Sequence, residues 1–134
     1  MTVSGFPNFF LLYGPNTNLG HNSIIFMIEC QANYITKCIE KLRTDNLLYI
    51  DVKREVQKAS NRTVQEDNAN SVYASGCTSW YKTEDGKVTN NWANYTFVYW
   101  WRTLRPRFSD FNLRPRGNTT PSGNKHEPKA TAPV

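Results

Sequence analysis

Several absences narrow this sequence before any motif is read. Nowhere do about 18 apolar residues run together, the least a membrane-crossing helix needs, so no segment qualifies as a span. Cysteine is scarce. Cys30, Cys38 and Cys77 make an odd count with no Cys-x-x-Cys spacing, which excludes a disulfide framework and a zinc site and suits a reducing compartment. No basic stretch leads into a long apolar one near the start, so no secretory signal is recognised and the expected location is cytoplasmic. The sequons at Asn61, Asn94 and Asn118 then read as chance matches. A hydrophobic fraction of 39% and a mean hydropathy of −0.62 are low for a globule, whereas 13% aromatic residues argue against wholesale disorder. A length of 134 residues allows one domain with a modest core.

Charge is unevenly placed. Residues 1–101 hold nine basic and nine acidic side chains, and residues 102–134 hold seven against two, which is the whole net charge of +5. The body is balanced and the tail is basic.

Between the breakers Pro7-Asn8 and Gly14-Pro15-Asn16 lies a continuous apolar run, Phe9-Phe10-Leu11-Leu12-Tyr13. Such a run predicts a strand buried on both faces, as in a parallel sheet, and no other segment supplies it with a comparable neighbour. A Gly- and Asn-rich loop follows over residues 14–22. Residues 23–43 then predict a long helix with Ile24, Ile28, Ile35, Ile39 and Leu42 on its apolar face, beside Met27, Ala32 and Cys38. Asn22 or Ser23 is the expected N-cap, and Lys37, Lys41 and Arg43 suit the C-terminal end of the dipole. Residues 47–52 predict a short strand, 51–68 a polar surface helix, and 95–104 an aromatic helix. Asp85-Gly86 is a turn signal, with a strand expected at Trp80-Tyr81. Beyond residue 112, prolines at 115, 121, 128 and 133 among Ser, Thr, Gly and Lys predict a disordered tail.

Two stretches together carry a resemblance. The first runs Gly5-Phe6-Pro7-Asn8-Phe9-Phe10, Gly14-Pro15-Asn16-Thr17, Gly20-His21-Asn22-Ser23-Ile24 and Ile28-Glu29-Cys30-Gln31. The second runs Gly76-Cys77-Thr78-Ser79-Trp80-Tyr81, Asp85-Gly86, Asn91-Trp92 and Tyr99-Trp100-Trp101-Arg102. In this order and spacing, over about residues 4–111, the pattern resembles the C-terminal part of the class B flavoprotein monooxygenases, which include the flavin-containing and Baeyer–Villiger enzymes.

The resemblance implies an α/β fold that is one end of a flavoprotein with two dinucleotide-binding domains. Residues 1–44 would supply the last strand, flavin-side loop and helix of the FAD domain. Residues 45–111 would form a C-terminal subdomain, with residues 112–134 a basic, Pro-rich tail. It further implies that Gly14, Pro15, Asn16, Thr17, Asn22, Ser23 and Ile24 contact FAD, because unpaired N–H groups and the dipole at a helix start stabilise negative charge on the flavin. NADPH would reduce the FAD, and one oxygen atom from O2 would pass to a small organic substrate. No Gly-x-Gly-x-x-Gly turn for either nucleotide occurs, nor does the family's Gly, His and Trp fingerprint, and Ala93-Asn94 stands where the family commonly has Pro-Gly. The expectation is therefore a segment that holds neither cofactor tightly alone, is inactive alone, and exposes Phe9, Leu11, Ile24 and Ile28 in a form prone to aggregate.

The same residues admit plainer readings. Loop 14–23 could simply cap a helix; His21, with no partner nearby, reads as exposed; Cys77 lacks a histidine and reads as packing. A non-catalytic remnant or interaction module remains an alternative. Arg102, Arg105, Arg107, Arg114 and Arg116 interleaved with Trp101, Phe108 and Phe111 could in principle bind nucleic acid, though no binding-fold motif accompanies them and a solvated basic surface is favoured.

Overall fold

A computed structural model describes residues 1–20, 23–71, 82–83 and 85–117. Among the described residues the architecture is a small α/β unit of three helices and one two-stranded sheet. Helix α1 (Ile24–Thr44) leads into strand β1 (Leu47–Val52), followed by helix α2 (Arg54–Ala69), helix α3 (Thr96–Thr103), a single 3-10 turn (Phe108–Asp110) and strand β2 (Phe111–Pro115).

Ser23 caps α1, its hydroxyl accepting from the Phe26 N–H at 3.3 Å. At the other end Lys41 pairs with Asp45 at 2.6 Å, and Asn46 adopts a left-handed φ of 49° that reverses the chain into β1. The helix forms where its periodicity places it, yet it buries a different stripe from the one expected. Met27, Cys30, Gln31 and Cys38 are buried, whereas Ile39 is 52% exposed. The reason lies in its neighbours: α1 packs on α3 and β1, and these cover the Met27 side.

Two clusters make the core. Leu19, Met27, Cys30, Trp92 and Tyr99 join α1, the loop before it and α3. Cys38, Leu47, Ile50, Val52 and Phe111 join α1 to the sheet. Burial raises the Cys30 thiol pKa and pushes that of Cys38 from 9.0 up to about 11. Buried Tyr34 and Tyr99 are also shifted upward, chiefly by desolvation. For each of these groups the folded state holds the proton more tightly than the unfolded chain. For Cys38 the stabilising contribution is complete below 9.0 and declines as pH rises towards about 11. Denaturation midpoints measured across that window should fall with pH. Cys30 and Cys38 should also resist a thiol reagent until the chain is unfolded.

Strands β1 and β2 pair antiparallel, Val52 opposite Phe111 and Ile50 opposite Leu113, with an irregularity between Leu47 and Tyr49. The tail expected to be disordered from residue 112 is therefore ordered through Pro115. Pro115 sits at the end of the strand, where a missing N–H costs little. Residues 118–134 lie outside the described residues, as does the strand expected at Trp80-Tyr81.

Residues 9–13, read as a strand whose neighbours this chain does not supply, form no ladder among the described residues. They contain one isolated antiparallel bridge, Thr2 with Phe10, and Phe9, Leu12 and Tyr13 are 47%, 52% and 45% exposed. The run alone signals burial, and among the described residues no strand pairs with it in a ladder. Of the four positions expected to expose apolar surface, Phe9 does so, while Leu11, Ile24 and Ile28 are half-buried. The free edge of β1 is closed instead by Asn8. At φ 58° its backbone N–H donates to Ile50 O (3.0 Å), its Nδ2 to Leu48 O (3.1 Å), and its Oδ1 accepts from Ile50 N (3.0 Å).

Candidate functional site

The Gly- and Asn-rich loop before α1 is held from two sides. On the α1 side, the Tyr13 N–H donates to Gln31 Oε1 at 2.6 Å, reaching a side chain with no exposed surface. On the other side, residues 16–18 run beside residues 88–92. Asn16 N donates to Thr89 O (2.8 Å), Asn18 N to Asn90 O (2.9 Å) and Trp92 N to Asn18 O (2.8 Å), with a parallel bridge between Asn18 and Asn91. Asparagine amides supply the cross-links. Asn16 Nδ2 donates to Val88 O (2.9 Å) and Asn91 O (3.1 Å), and Asn18 Nδ2 to Asn91 Oδ1 (2.8 Å). From α2, Asn68 reaches Asn91 O (3.1 Å) and Gln65 reaches Val88 O (2.9 Å). The two resembling stretches, far apart in the chain, thus meet at this knot.

Each expected site residue has a definite place except Asn22, which with His21 lies outside the described residues. Gly14 is half-buried, and a Cβ there would stand 3.1 Å from Leu11 Cβ, so close approach rather than an unusual φ requires the glycine. Pro15 is exposed beside Asn16, whose φ of 56° is tolerated because asparagine visits the left-handed region. Thr17 is buried and turns inward, its Oγ1 donating to Gly14 O at 2.6 Å, so its side chain fixes the loop. Ser23 is spent on the cap, and Ile24 is half-buried. The structure therefore brings Gly14, Pro15, Asn16 and Thr17 into one braced turn leading to the start of α1.

That helix start offers unpaired N–H groups. The first intrahelical bond is Met27 N to Ser23 O, so the Ile24 and Ile25 N–H groups precede the ladder, and no acid occupies the first turn. Ile25 (69%) and Phe26 (37%) are exposed beside them.

Sequence reasoning assigned no bracing role to Gln31, Gln65, Asn68 and Asn18. The available signal was a glutamine in helical register with Met27, Tyr34 and Cys38, since an amide on an inward stripe needs partners. Burial raises the Tyr99 pKa, and the neighbouring Gln31 amide acts in the opposite direction. Replacing Asn16 with Ala removes two bonds to the knot and places a less suitable residue at positive φ. The expected loss is about 2–4 kcal/mol, read from urea denaturation.

The basic–aromatic stretch is engaged in part, while Trp101, Arg105, Arg114 and Arg116 are exposed. Arg102 sits 5.3 Å over the Trp92 ring and 3.9 Å from Asp67, Arg107 pairs with Asp110 at 3.2 Å, and Phe111 is in the core. No group of His, Cys, Asp or Glu able to hold a metal ion occurs among the described residues, and none of their helices is long and apolar enough to cross a membrane.

No family model matches the chain. Curated relatives do. An FAD-binding monooxygenase of Aspergillus niger (ktnD) is 41% identical over 130 residues, covering 93% of this chain and 21% of the relative. A Baeyer–Villiger monooxygenase of Pseudomonas aeruginosa is 40% identical over 109 residues, covering 80% and 20%. Another Baeyer–Villiger monooxygenase, from Streptomyces coelicolor, is 36% identical over 117 residues, covering 85% and 22%. Over most of its own length the chain is a homologue of FAD-binding and Baeyer–Villiger monooxygenases, and it spans about a fifth of the length of the curated relatives it matches.

Proposed function

We propose that this chain forms the flavin-facing loop and helix of an FAD- and NADPH-dependent monooxygenase that transfers one oxygen atom from O2 to a small organic substrate. The observation that carries the reading is the knot joining residues 16–18 to 88–92. It braces the loop that the family resemblance assigns to the flavin, using both resembling stretches at once. FAD, when bound, supplies the redox and oxygen-activating chemistry. The chain's own part is positional and electrostatic. Gly14, Pro15, Asn16 and Thr17 set the path of the turn, and the N–H groups of Ile24 and Ile25 favour negative charge at the ring edge. Asn22 and Ser23 belong to the same approach in this reading.

Ketone and heteroatom oxidation both remain compatible with this segment, since the substrate would be chosen elsewhere in the enzyme. The native protein, captured from its source with an antibody against residues 53–68, should carry a flavin absorbance spectrum and oxidise NADPH in the presence of O2. A native protein without flavin would favour the non-catalytic remnant.

A further inference from the structure

A groove of about 520 Å³ lies between the exposed face of α2 and the asparagine-rich loop. We propose that it binds a phosphate-bearing small molecule. Three cations line it, Arg54 and Lys58 from α2 and Lys87 from the segment after the Asp85-Gly86 turn. No carboxylate lines it. The three ion pairs found among the described residues use Lys41, Arg102 and Arg107, so none neutralises this group. Glu55, the acid in the first turn of α2, does not line the groove.

The neutral groups point to the same chemistry. Arg54, Gln57, Lys58 and Asn61 recur at helical spacing and share one face of α2. The Gln57 acceptor oxygen is already taken by the Ser4 N–H at 2.6 Å, which leaves the amide N–H groups as its uncommitted polar atoms. Arg54 stands in the first turn of a 16-residue helix, where the dipole adds positive potential. The lining is thus rich in donors, and among the described residues its three positive charges enter no ion pair. A monocarboxylate would neutralise one of them. A phosphate or diphosphate brings two or more charges and several acceptor oxygens, and the volume admits it with a small organic group attached. The proposal does not rest on the flavin reading, although Pro15 and Asn16 border both sites.

Titration calorimetry of the 134-residue chain with inorganic pyrophosphate at low salt should show saturable one-to-one binding that weakens as salt rises. The double variant Lys58→Glu with Lys87→Glu should weaken it at least about tenfold, because two of three attractions become repulsions. Both residues are exposed, so the variant should keep the parent circular dichroism. A control with the same charge change elsewhere, Arg105→Glu with Arg114→Glu, should stay within about twofold of the parent. Absence of pyrophosphate binding would overturn the proposal. So would equal weakening by both double variants, or binding confined to single-stranded DNA or anionic vesicles, each of which would reveal only general basic charge.

Discussion

Replacement of Trp92 by alanine is expected to cost about 3–5 kcal/mol of folding stability, as for other large aromatic core deletions. The indole is 5% exposed and meets the Tyr99 ring edge-on at 5.1 Å. Its Nε1 donates to Tyr95 O at 3.3 Å, and Arg102 lies over its face. Deleting it removes the packing that unites α1, the loop and α3, and leaves a cavity against Met27 and Cys30. Trp92→Phe keeps a ring against Tyr99 and should lose less. Chemical denaturation measures both, and a loss below about 1 kcal/mol for the alanine variant would mean that Trp92 does not join these elements.

Phe111→Ala should have an effect of similar size, about 3–5 kcal/mol, in the other cluster. Phe111 is 5% exposed, stands opposite Val52 in the sheet, and packs with Cys38, Leu47 and Ile50. Its loss should also release β2, so tryptic cleavage after Arg116 should accelerate. Were the chain unstructured from residue 112, little would change. Because Trp92 and Phe111 belong to separate clusters, the double variant should add within about 0.5 kcal/mol.

The helices were legible because their signals are local. The periodicity of residues 23–43, Ser23 as a cap and the aromatic run at 95–104 each report on a few neighbouring residues, and α1 and α3 follow from them. What failed was long-range. The run at 9–13 signals apolar content, but a strand requires a partner, and here Asn8 and Thr2 supply isolated contacts instead. The order of residues 112–115 depends on β1, about 60 residues earlier, which no local composition announces. At the site, the sequence pointed to Gly14, Pro15, Asn16 and Thr17, and these form one turn. It gave no sign that Asn16 and Asn18 close upon Asn91, because amide-to-backbone pairing across more than 70 residues has no local pattern.

The most direct test of the central claim is flavin content in a chimera. Residues 4–111 of this chain would replace the matching segment of the Pseudomonas aeruginosa Baeyer–Villiger monooxygenase, which supplies the remaining nucleotide-binding parts. The account expects a folded chimera with close to one FAD per chain, and a marked loss of FAD when Asn16→Ala is added. A soluble, cooperatively folding chimera that purifies without FAD would contradict it.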